Sequence, residues 1–106
     1  MRLRFMRVMV FFDLPVETVA NRRAYSKFRH FLLDDGFIMM QKSVYSKVAL
    51  NAAAAKSVCD NLRHHLPPDG IVQLLTITEK QFQSIDYLLG ESQTEVVDTL
   101  DRFVVL

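Results

Sequence analysis

The chain has 106 residues, of which 50% are hydrophobic and 24% charged, with a net charge of +1. That composition argues against disorder, and the length suits one domain with one modest core. Its longest apolar runs fall well short of the ~20 residues of a membrane-spanning helix, and its single Cys59 excludes an intramolecular disulfide or a cysteine-rich zinc site. The near-neutral sum hides an asymmetry. Residues 1–50 hold nine Lys/Arg against four Asp/Glu, net +5, whereas residues 51–106 hold four against eight, net −4. A basic surface built by the first half would suit a polyanion, although scattered solvated charge would give the same count.

In chain order, residues 4–12 alternate as a strand largely apolar on both sides, with Met6, Val8, Val10 and Phe12 on one face and Phe5, Arg7, Met9 and Phe11 on the other. Asp13 follows in the second set, before Leu14-Pro15 breaks the strand. Met1-Arg2-Leu3-Arg4 leads into no small-residue cleavage site, so a signal peptide is not expected and a cytoplasmic location is the default. From Glu17 to about Asp35 the spacing of Ala24, Tyr25, Phe28, Phe31 and Leu32 predicts a helix, ended by Gly36. Phe37–Met40 and Ser43–Val48 read as a hairpin around Gln41-Lys42.

Asn51 is placed to cap a second helix, stopped by Pro67-Pro68-Asp69-Gly70, and Ile71–Thr78 is a fourth strand. Thr78-Glu79-Lys80-Gln81 fits a capping box opening a short helix. Beyond it, Tyr87-Leu88-Leu89 and Phe103–Leu106 read as one or two edge strands separated by an acidic stretch. Strand, helix, hairpin, helix, strand is the βαββαβ order of an α+β, ferredoxin-like sandwich: two helices on one face of a four-stranded antiparallel sheet, as a single domain over 1–106 with a C-terminal extension from about 79. Giving the helices the Met6/Val8/Val10/Phe12 face leaves Phe5, Met9 and Phe11 for another copy of the sheet, so a two-fold homodimer is expected.

If that face meets its mate, Asp13 of each protomer lies near the shared interface. Two such carboxylates can hold one Mg²⁺ or Mn²⁺, with water and phosphate oxygens completing the shell. The alternative is a turn residue before Pro15. On the first helix Arg22 and Arg29 flank Phe28 on one side and Arg23 and Lys27 on the other, a pattern that offers cations to phosphates and is equally that of an ordinary solvated helix. Lys42 and Lys47 add to it from the hairpin. His64-His65 suits a helix end better than a metal site, and Cys59 suits the core. No dinucleotide, P-loop or zinc-protease motif is present, and the aromatic, glycine-bearing signature of RNA-recognition domains is missing from the central strands.

Four segments together resemble a known family. They are Phe12-Asp13-Leu14-Pro15, Arg22 to Phe37, Gln41 to Lys47, and Leu74-Leu75-Thr76-Ile77-Thr78-Glu79-Lys80-Gln81-Phe82. They are similar to the small subunit of the CRISPR adaptation complex, partner of the CRISPR integrase and often described as a CRISPR-associated endoribonuclease. The Ser-Val-Tyr hairpin and the Thr-Glu-Lys-Gln-Phe run look like the branch that accompanies the single-protein effector nuclease. The resemblance implies a ferredoxin-like homodimer with the two Asp13 side chains facing one another as one divalent-metal site per dimer. It implies a dimer that bridges integrase dimers and lies along the backbone of captured double-stranded DNA, with Arg22, Arg23, Lys27, Lys42 and Lys47 as candidate phosphate contacts. It also implies a second possibility, Mg²⁺- or Mn²⁺-dependent cleavage of RNA or DNA at Asp13. A third, unrelated reading, a toxin or small-molecule-sensing regulator of ferredoxin-like fold, would need a ligand pocket in place of a basic ridge.

Overall fold

The computed structural model describes residues 4–91. Strand β1, Met6–Asp13, is central in a four-stranded antiparallel sheet of order β2-β3-β1-β4, where β2 is Ile38–Gln41, β3 is Val44–Ala49 and β4 is Ile71–Thr78. Helices α1, Val19–Asp34, and α2, Ala52–Arg63, supply the interposed crossovers. This is the ferredoxin-like arrangement expected from the order of elements, and a short helix α3, Glu79–Gln83, follows β4 directly.

Local chemistry sets the boundaries. The Thr18 hydroxyl accepts from the Asn21 N–H at 3.0 Å, so α1 opens at Val19, two residues beyond the Glu17 start expected from periodicity. At its other end the Gly36 N–H donates to Leu33 O and the Phe37 N–H to Leu32 O, a Schellman closure that draws Phe37 out of β2 and into the core. Asn51 caps α2, its side chain accepting from Ala54 N–H at 2.8 Å. Thr78 and Gln81 form both bonds of the capping box of α3, at 3.0 and 2.9 Å. The hairpin turns at Lys42-Ser43 and carries a bulge between Met39 and Gln41, so Met40 joins Met9 on the second face of the sheet.

The helix-side core holds Val8, Val10 and Phe12 of β1 with Phe28 and Leu32 of α1 and Ala55, Cys59 and Leu62 of α2. Phe12 sits edge-on to Phe28, with centroids 5.3 Å apart, and stacks on Tyr45 at 5.6 Å. The second face differs from expectation, because α3 folds back over part of it. Phe82 and Met40 cover Met9, Phe11 is half-buried, and only Phe5 of the expected set stands open. Ile71 and Leu75 of β4 add exposed apolar area to that face.

Tyr87–Leu89 forms no strand. Leu88 and Leu89 are 91% and 94% exposed, and an extended apolar run without a neighbouring strand gains no ladder hydrogen bonds to hold it. Phe103–Leu106 lies outside the described residues. Among the described residues no helix is long and apolar enough to cross a membrane.

Candidate functional site

Asp13 ends β1 with its side chain on the same face as Arg7, Met9 and Phe11, and it is exposed, whereas Phe11 is half-buried and Met9 and Arg7 are buried. On one side it pairs with Ile71 of β4. On the other, β3 has already stopped: the last pair is Phe11 with Val44, and the Phe12 N–H donates to Ser43 O at 3.0 Å in the hairpin turn. The salt bridges among the described residues join Arg7 to Glu79, Lys47 to Asp35, and both Lys56 and Arg63 to Asp60; Asp13 belongs to none of them. A hard carboxylate donor that is exposed and uncommitted suits Mg²⁺ or Mn²⁺. One carboxylate is too few for a dedicated site, however, and among the described residues no group of three or more His, Cys, Asp or Glu side chains comes together. The donor set fits a metal only if a second Asp13 completes it.

The expected basic residues fall into three places. Arg22 lies at the Asp13 end, where its guanidinium donates to Val16 O at 3.0 Å and Glu17 O at 3.2 Å and so braces the β1–α1 connection. Lys42 is exposed in the hairpin turn beside the end of β1, and its carbonyl accepts from the Tyr25 hydroxyl at 3.5 Å. Arg23 and Lys27 are exposed along the outer side of α1, lining a shallow cleft with Ser26 and His30. Lys47 is engaged elsewhere, its ammonium donating to Asp35 O and lying 3.6 Å from the Asp35 carboxylate, where it closes the C-terminus of α1.

His65 stacks on Phe31 with centroids 4.1 Å apart, and its Nδ1 is 2.9 Å from Asn61 O, so its place is the helix end that the sequence suggested. Cys59 is buried in the core.

Sequence reasoning missed Arg7. On a strand of apolar residues it reads as an interruption, yet it is buried on the second face of the sheet, donating from Nε and Nη2 to the Glu79 carboxylate at 2.8 and 2.6 Å and lying 4.0 Å from the centre of the Phe82 ring. The Arg7 guanidinium holds the Glu79 carboxyl below its ordinary range, chiefly by hydrogen bonding, against a smaller opposing effect of burial. The available signal was the capping box at 78–81, which fixes Glu79 and Phe82 in one short helix beside the strand that carries Arg7.

Residues 6–85 match the family model described as CRISPR associated protein Cas2. A protein of Treponema denticola named CRISPR-associated endoribonuclease Cas2 is 52% identical, over 95% of this chain and all of that one. Proteins of the same name from Streptococcus mutans serotype c and Acidovorax ebreus are 46% identical over 95% of this chain and 93% of the relative, and 51% identical over 80% and 83%. Among solved structures, one titled "Crystal structure of cas2" superposes with a TM-score of 0.51 at 23% identity, covering 84% of this chain and 91% of that one, which supports the fold. With three quarters of its length matched by the family model and its relatives covered nearly end to end, the chain belongs to the CRISPR associated protein Cas2 family.

Proposed function

We propose that the protein acts in CRISPR spacer acquisition as a two-fold homodimer that bridges dimers of the CRISPR integrase and lies along the backbone of the captured double-stranded DNA. The cytoplasm is its proposed location, and the segment from about 79 to 106 is proposed to contribute to dimer or integrase contacts. The exposed apolar residues Phe5, Ile71 and Leu75 supply a surface that a second copy would cover. Arg22 and Lys42 flank the end of β1, and Arg23 and Lys27 extend the positive surface along α1; Lys47 is the remaining candidate contact. The observation that carries an architectural role over a catalytic one is the donor count: the end of β1 offers the single carboxylate of Asp13, and among the described residues no group of three or more ligand side chains gathers around it.

The test is co-purification with the neighbouring integrase followed by spacer integration with wild type and Asp13→Ala. Integration that survives the substitution supports the scaffold; its loss in a folded, dimeric variant overturns a purely architectural role. DNA affinity should fall steeply with salt, because each phosphate contact releases counterions.

The second reading is a metal-dependent phosphodiesterase, favoured by the exposure of Asp13 on the apolar face. Two Asp13 carboxylates would hold one Mg²⁺ or Mn²⁺ per dimer, and the ion when bound would offset charge developing on a phosphate oxygen. Arg22 and Lys42 would orient the nucleic-acid backbone from beside the end of β1. This reading requires cleavage of RNA or DNA that depends on the added metal and vanishes in Asp13→Ala; cleavage that persists in that variant rejects it.

A further inference from the structure

We propose that Gly70 is a positioning residue for Asp13, holding the end of β1 where two copies of the carboxylate can share one cation; the proposal rests on the paired-Asp13 reading above. Asp13 is paired on one side only, through Ile71, so its place depends on what packs around that last pair. Gly70 immediately precedes Ile71 and runs past the end of the strand. A Cβ at position 70 would lie 2.6 Å from the Asp13 carbonyl oxygen, 2.7 Å from Leu14 Cδ2 and 3.1 Å from Leu14 Cα. Two of these three neighbours are backbone atoms of Asp13 and of Leu14 just after it, which cannot swing aside as a side-chain end would. Any residue but glycine therefore moves Asp13 and Leu14 or moves β4 away from them.

The same segment is held from the far side. Pro67, Pro68 and Asp69 line a recess together with Leu14 and Pro15, so the α2–β4 connection packs against the chain leaving Asp13 as well as against its last strand pair. In a two-fold dimer a displacement of Asp13 occurs in both copies at once, so the gap between the carboxylates changes by up to twice the shift in either. Cation binding by a site of two ligands is sensitive to that gap.

Gly36 provides a matched control. Its φ is +97°, against +99° at Gly70, so alanine meets nearly the same backbone strain at both. At Gly36, however, the added Cβ would meet only the flexible end of Lys47, at 3.5 Å, an ordinary contact. The pair thus separates the cost of a left-handed alanine from the contact with Asp13.

The experiment compares wild type, Asp13→Ala, Gly36→Ala and Gly70→Ala as full chains by Mn²⁺ titration and by amide chemical shifts. The expected result is that Gly70→Ala shifts the Asp13 and Leu14 amides and weakens Mn²⁺ binding at least tenfold, while Gly36→Ala leaves those amides in place and binding within twofold of wild type. Binding by Gly70→Ala that matches Gly36→Ala, with wild type binding through Asp13, overturns the role of Gly70 alone. Wild type and Asp13→Ala titrating alike overturns the paired-carboxylate reading and this proposal with it. If Gly70→Ala does not fold in dilute buffer, all four proteins are compared in stabilising sucrose under the same two criteria.

Discussion

The two faces of the sheet are apolar to a similar degree in sequence and are used differently in the fold. The helix side gathers strands and two long helices around Phe12, Phe28, Leu32, Tyr45 and Leu62. The other side buries only Met9, Met40 and Phe82 as a cluster, and it is held down by a charged pair, Arg7 with Glu79, rather than by a second layer of helices. On the first face β1 is buried at Val8, Val10 and Phe12, with Val72 and Leu74 of β4 partly covered at its edge; on the second, burial stops at α3 and leaves Phe5, Ile71 and Leu75 exposed. A hydrophobic pattern thus identifies a surface that will be covered but not the body that covers it.

Substitution can break this contrast most strongly in the helix-side core. Phe28→Ala should cost about 3–5 kcal/mol, measured by urea denaturation, because the ring is 2% exposed and its neighbours cannot close the cavity. Phe82→Ala should cost less, about 2–3 kcal/mol, since its helix has five residues and borders solvent. Equal losses would make the second face a full core in its own right.

The Arg7–Glu79 pair sharpens the comparison through pH. The folded carboxyl lies below its ordinary value of 4.5, so the stability it confers is fully present above that value and is lost as pH falls through the lowered folded value. Glu79→Gln should cost about 1–3 kcal/mol at pH 7, and its melting temperature should converge on that of wild type below about pH 4.5. A gap that persists unchanged to pH 3 would assign the effect to packing.

The smallest effect is expected at Tyr45, whose buried hydroxyl has no hydrogen-bond partner in the structure. Tyr45→Phe should be neutral or stabilising by up to about 1 kcal/mol in the same denaturation assay. A loss greater than that would reveal a buried water satisfying the hydroxyl.

Legibility followed the range of the interaction. Asn51, Gly36 and the Thr78–Gln81 box act over three or four residues, and each appears where the sequence put it. The start of α1 was misjudged because Glu17 continues the helical pattern while the Thr18 hydroxyl, one residue later, decides the cap. Tyr87–Leu89 has strand composition and no strand, because composition says nothing about whether a partner edge is at hand. At the candidate site, Asp13 was legible from its parity and its place before Leu14-Pro15. Arg7 and Gly70 were not: one pairs with Glu79, 72 residues away, and the other lies where an added Cβ would meet the Asp13 carbonyl across the end of the sheet.

By itself the sequence determined the order of elements, the two-sided apolar character of β1 and the position of Asp13 at its end, because strand parity, helix spacing and capping are local. Only the tertiary structure decided that α3 closes part of the second face, that Arg7 is the residue that clamps it, that Lys47 is drawn to the end of α1, and that position 70 has no room for a Cβ beside the carbonyl of Asp13. Those outcomes depend on which distant segments meet, and the energy of each contact exists only once the sheet has brought them together.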